Sequence, residues 1–171
     1  MLSRMMSTRI RAMLGASLFA FAAMVTLAAQ TPDAPPQVLA CIANGTKVGH
    51  TFVEHADPAK LEEAVKAYET RSADYPEGTI LRMIQGEAMV KRAKGTFTQS
   101  NGWEYFALTV TPQGTTVKAR GYEAGNGLGT CQSCHGAAKS DYVCASGGCA
   151  TVRLTEERLA AIQAADPRCA K

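Results

Sequence analysis

Past its first 29 residues the chain has no apolar run long enough to cross a bilayer, which takes roughly 20 residues. It also lacks a surplus of positive charge where one would matter. The whole chain carries 18 Lys+Arg against 15 Asp+Glu. Three Arg and no acid lie in the first 29 residues, so 15 basic residues face 15 acidic ones in the remainder. The formal charge of +3 therefore belongs to the leader, and the charge balance gives no support to a basic face for nucleic acid. No internal repeat or low-complexity segment is present beyond the leader and the Pro-rich stretch that follows it, which excludes a repeat array.

The leader itself has the pattern of an export signal. Arg4, Arg9 and Arg11 form a positive start, Ala12 to Ala29 is apolar, and Thr26-Leu27-Ala28 places small residues where a signal peptidase reads them. Residues 1–29 are thus expected to be a cleaved signal peptide and residues 30–37, with Pro32, Pro35 and Pro36, a linker. An uncleaved anchor is the alternative. Val38-Leu39-Ala40-Cys41 faintly resembles a lipidation box, but the prolines separate it from the apolar run. The expected product is a soluble periplasmic protein of one domain over residues 38–171, about 140 residues being enough for a single core.

Cys131-Gln132-Ser133-Cys134-His135 is the most informative stretch of the remainder. Two thiols three positions apart can add across the two vinyl groups of one porphyrin, and the following histidine then becomes the axial ligand of the iron. The pattern predicts one covalent haem c with Cys131, Cys134 and His135 as its binding residues and His135 as its metal ligand. Two alternatives remain. A thioredoxin-like dithiol wants a βαβ setting, which does not precede this motif. A zinc site would draw on Cys144 and Cys149 as well, ignores His135, and needs reduced thiolates in an oxidising compartment.

Removing the two haem cysteines leaves four of the six: Cys41, Cys144, Cys149 and Cys169. An even remainder in an exported chain suggests two disulfides. Cys144 and Cys149 flank Ser146-Gly147-Gly148, which can close a small loop, and Cys41 with Cys169 would then tie the ends together. Free, buried thiols are the alternative.

The secondary-structure pattern is mixed. Asp57-Pro58 is a helix start, and Leu61, Val65 and Tyr68 recur at helical spacing, so a helix is expected over about 58–71 with those residues facing a core. Strands are expected over 79–84, 88–91, 103–111 and 115–120, with turn chemistry at Asn101-Gly102 and Pro112-Gln113-Gly114. Residues 103–110 are apolar on both faces, which suits a core on one side and a haem or a partner subunit on the other. Thr155-Glu156-Glu157-Arg158 opens a final short helix. The expected class is α+β: a mainly antiparallel sheet with an N-terminal helix and a short C-terminal one.

Tyr75-Pro76-Glu77-Gly78-Thr79, Met89-Val90-Lys91-Arg92, Gly102-Trp103-Glu104-Tyr105-Phe106, the Cys131–His135 motif and Asp141-Tyr142-Val143 follow one another in an order that resembles the cytochrome P-460 and cytochrome c′-beta family. The resemblance covers residues 75–143. It implies a homodimeric, largely antiparallel β protein with one c-type haem per subunit. It also implies a five-coordinate iron that binds small molecules such as nitric oxide and exchanges electrons with a redox partner protein. The hydroxylamine-oxidising members cross-link a lysine to the porphyrin. Here Arg82 stands where that lysine would be expected, which favours ligand binding over hydroxylamine oxidation.

Other residues have two readings each. His50 and His55, or Met83 and Met89, are potential sixth ligands that would make an electron carrier, or else ordinary surface and core residues. Phe97, Trp103, Tyr105 and Phe106 are candidates for the wall of a distal pocket, or plain core aromatics. Glu87, Glu104 and Glu123 are candidate acid–base groups for an enzyme. Lys91 and Arg92 would pair with haem carboxylates or face solvent.

Overall fold

A computed structural model describes residues 33–169 apart from 73, 126, 128, 146–148 and 150–153. Its centre is one six-stranded sheet whose strands are paired in chain order and antiparallel throughout. The strands are β1 (Thr46–Val48), β2 (Thr51–Glu54), β3 (Ile80–Arg82), β4 (Glu87–Lys91), β5 (Trp103–Thr111) and β6 (Gly114–Arg120). Among the described residues four α-helices accompany them: α1 (Pro36–Leu39), α2 (Pro58–Thr70), α3 (Cys131–His135) and α4 (Glu156–Ala164). The α+β class with an antiparallel sheet is as the sequence pattern predicts. Among the described residues no helix is long and apolar enough to cross a membrane.

Local chemistry accounts for the long elements. The Asp57 side chain accepts from the Ala59 N–H at 2.9 Å, and Pro58 needs no partner at the first helical position, so α2 starts there. It ends at Arg71, which takes the left-handed conformation at φ 56°. Ala64, Ala67 and Tyr68 are its buried residues, and Leu61 and Val65 pack at the margin of the same cluster. β5 and β6 form a hairpin closed through Thr111 and Gly114, with a register shift between Ala107 and Leu108. The β1–β2 hairpin is an addition to the sequence expectation. Val48 pairs Thr51 across Gly49, which sits at φ 58° and turns the chain.

Strand alternation divides the apolar residues between two faces. Leu81, Met89, Trp103, Tyr105 and Ala107 point toward α2 and join its buried side chains. Ile80, Ala88, Val90, Phe106 and Leu108 point the other way and pack on Val38 of α1. Val38, the first residue of the expected domain, has no exposed surface, and α1, which carries it, starts at Pro36.

The two chain ends are held together. Cys41 is bonded to Cys169, and Cys144 to Cys149, the pairing that the spacing suggested. Beside the first bridge Asp166 accepts the Ile42 N–H at 3.0 Å and is paired with Arg168 at 2.6 Å. Arg82 is buried there too, donating to the Ala40 and Cys41 carbonyls and paired with Glu54. Gln163 of α4 donates to the carbonyls of His50 and Met83, which docks the helix on the turns at the sheet edge.

Candidate functional site

α3 is the motif itself, folded as one and a half turns. Thr130 caps it by accepting the Ser133 N–H, and Gly136 ends it. A helix carries Cys131, Cys134 and His135 along one side, since residues three and four apart share a face. All three side chains line a cavity of about 840 Å³. Leu81 and Met89 form part of its floor, Tyr68 of α2 and Thr51 of β2 lie on its wall, and Leu159 of α4 closes another side. Such a volume and a mostly apolar lining with a few polar groups are usual for a cofactor site.

His135 is fixed by its neighbours. Its Nδ1 lies 2.7 Å from the Tyr142 carbonyl oxygen. A carbonyl only accepts, so Nδ1 carries the hydrogen and Nε2 keeps its lone pair for a metal. Burial lowers the affinity of His135 for a second proton more than the Tyr142 contact and Glu87 raise it. The ring is therefore neutral at neutral pH, the form that ligates. Tyr105 of β5 lies beside it, with ring centroids 5.1 Å apart and the planes tilted by 46°.

The carbonyl that holds His135 is itself positioned by a buried carboxylate. Asp141 and Tyr142 both adopt left-handed backbone conformations, at φ 46° and 60°, which non-glycine residues do not hold unaided. The Asp141 side chain accepts from Lys91 Nζ at 2.8 Å, from Trp103 Nε1 at 2.9 Å and from Asn101. Lys91 also lies over the Trp103 ring, 4.9 Å from its centroid. Lys91, Trp103 and Asp141 thus support the turn behind the histidine rather than lining the cavity.

Neither disulfide includes Cys131 or Cys134, while Cys144 and Cys149 are bonded to each other. The four-cysteine zinc reading loses half its ligands by that pairing. Among the described residues no cluster of three or more His, Cys, Asp or Glu is arranged to hold a metal ion. Burial pushes the Cys131 thiol up to about 11. A dithiol oxidoreductase wants the opposite, a thiolate at neutral pH.

The other sequence candidates separate. Of the four aromatics, Tyr105 lines the cavity. Trp103 shares its sheet face but turns its indole to Asp141. Phe106 lies on the opposite face, with the Arg92 and Arg120 guanidinium groups 5.9 and 5.2 Å from its ring. Phe97 packs on Tyr122 outside the cavity lining. Glu87 lines the cavity, whereas Glu104 is paired with Arg92 and Arg120 at 2.7 and 2.6 Å on the far face, and Glu123 is not part of the lining. His55 is engaged with the Glu77 carbonyl at 2.8 Å and stays outside the lining. His50, Met83 and Met89 do reach the wall. His50 keeps nearly half its side chain in solvent, with Nε2 3.6 Å from Glu156.

Two site groups were not foreseen from the sequence. Thr51 belongs to the unpredicted hairpin, although its run Thr51-Phe52-Val53 has the β-branched and aromatic character of a strand. Tyr68 was assigned to a core stripe, and only its hydroxyl, 2.8 Å from Thr51 Oγ1, marks it as a cavity group.

No protein-family model matches this chain, and no curated protein or solved structure matches it either.

Proposed function

We propose that this chain is an exported c-type haem protein of the cytochrome P-460 and cytochrome c′-beta kind, acting in the periplasm. Cys131 and Cys134 would hold the porphyrin by thioether bonds, and His135 Nε2 would be the proximal ligand. The observation that carries this reading is the alignment of three motif residues on one cavity of about 840 Å³, with His135 Nδ1 anchored on the Tyr142 carbonyl. That anchoring is how ligating histidines are usually oriented.

Held by Cys131, Cys134 and His135, such a group would supply an iron that binds small molecules such as nitric oxide and exchanges one electron. The chain's own residues supply the rest. His135 orients the group, Leu81, Met89 and Leu159 exclude water around it, and Asp141 holds the proximal turn. Among the described residues lining the cavity there is no lysine, and Arg82 is committed to Glu54 and two carbonyls. Ligand capture and electron exchange with a partner protein are therefore favoured over hydroxylamine oxidation, which needs the lysine cross-link. A homodimer is part of the same proposal.

Mass spectrometry of the exported protein tests the reading. One haem added per chain, surviving acid–acetone extraction and lost in Cys131→Ala/Cys134→Ala, is the expected result. Haem that extracts freely from the intact protein, or stoichiometric zinc in its place, overturns it.

A further inference from the structure

The cavity has a polar end remote from His135. His135 stands beside Tyr105 of β5, whereas Thr51 lies on β2, three strands away in the same sheet. At about 4.8 Å per strand that separation is roughly 14 Å. The floor between them is apolar, with Met89 on β4 and Leu81 on β3. At the far end the Thr51 and Tyr68 hydroxyls meet at 2.8 Å, and both line the cavity.

A hydrogen count makes this pair informative. Two hydroxyls carry two hydrogens, and their mutual bond uses one. Among the described residues the second has no other acceptor. Thr51 is 7% exposed and Tyr68 8%, and the cavity they both line is where the pair can meet an occupant. A buried donor left unmade is costly, and sites that keep one are commonly completed by what they bind. Tyr105 adds a second case: its hydroxyl is buried and has no hydrogen-bond partner among the described residues.

We propose that the Thr51–Tyr68 pair is the hydrogen-bond donor of this cavity and selects an occupant that presents an acceptor atom there. The inference rests on the haem reading and deepens it. Two sources carry such an acceptor: a small ligand held on the open side of the iron, or a carboxylate of the porphyrin itself. In either case one hydroxyl accepts from the other and passes its own hydrogen to the occupant, so either residue can be the outer donor. Losing one leaves a donor behind; losing both removes it.

The test compares the haem-loaded full chain with Tyr68→Phe, Thr51→Val and the double variant. The double variant replaces both partners by groups of similar shape and is expected to fold, since joint removal is nearly neutral. If the small ligand is the acceptor, azide dissociation constants rise roughly tenfold in the double variant, stay near wild type in each single one, and carbon monoxide binding is unchanged. If a porphyrin carboxylate is the acceptor, azide binding is unchanged and the pH dependence of the midpoint potential moves. Infrared spectra of the azide-bound wild type in H2O and D2O, read at the azide and carboxylate bands, give a second measurement that needs no variant. A double variant indistinguishable from wild type in both titrations, or spectra insensitive to D2O in both bands, overturns the inference while leaving the haem reading intact. A wild-type chain with no haem by pyridine haemochrome overturns both.

Discussion

His135 Nδ1 and the Tyr142 carbonyl oxygen lie 2.7 Å apart, and the turn that presents this carbonyl is held by Asp141 rather than by the motif. Three donors converge on that carboxylate, whose side chain is almost fully buried. The orientation of His135 thus depends on side chains from β4, β5 and the loop between them.

Asp141→Ala should be expensive. It strands the buried Lys91 charge and the Trp103 N–H, and breaking such a pair costs about 3–5 kcal/mol. Denaturant unfolding should show that loss. The haem-loaded variant should also have a raised reduction potential, because an imidazole without its acceptor is a weaker donor to iron. A variant with unchanged stability and potential would remove Asp141 from the site.

The two disulfides should differ in weight. Cys41–Cys169 closes 128 residues and Cys144–Cys149 closes 5. On the chain-entropy model the first is worth about 5 kcal/mol and the second about 2 kcal/mol. Thiol titration of the denatured, unreduced protein should find neither pair reactive. Cys41→Ser/Cys169→Ser should then lower the unfolding midpoint much more than Cys144→Ser/Cys149→Ser.

Acid should loosen the clasp between the chain ends. Burial alone would raise the pKa of Asp166, but the Arg168 contacts and the Ile42 N–H outweigh it and hold the carboxyl below its ordinary 3.8. The unfolded chain then binds the proton more readily than the folded one, so this stabilisation is complete above that value and is lost as pH falls through the folded pKa. Asp166→Asn should lower stability at neutral pH and flatten the stability profile in that acid range. An unchanged profile would show that the pair contributes nothing.

On the proposed haem reading, the ferrous protein should be high-spin and five-coordinate. His50→Ala is the decisive variant, since His50 alone of the two upstream histidines reaches the cavity wall. Its solvent exposure and contact with Glu156 predict an unchanged spectrum. A low-spin resting spectrum converted to high-spin by this change, or by Met89→Ala, would move the protein to the electron carriers. A red-shifted ferrous Soret band would instead reveal a lysine cross-link.

What the sequence by itself determined is local. Asp57-Pro58 and the Leu61, Val65, Tyr68 spacing specify α2, and the turns at Asn101-Gly102 and 112–114 bound the longest strands, because caps, turn chemistry and periodicity act over a few residues. The Cys131–His135 spacing predicts its chemistry for the same reason, and the cysteine pairing is legible because four thiols allow three connectivities and Cys144 and Cys149 flank a short Gly-rich loop. Tertiary structure decided which side each strand residue faces. Phe106 and Tyr105 are neighbours in a run apolar on both faces, so alternation separates them without saying which one meets the cavity. It also decided the distant partnerships: Tyr68 with Thr51, Asp141 with Lys91, and Asp166 with Ile42. Those contacts join residues 17, 50 and 124 positions apart, where no local rule reaches and only the packing of the sheet against its helices brings the groups together.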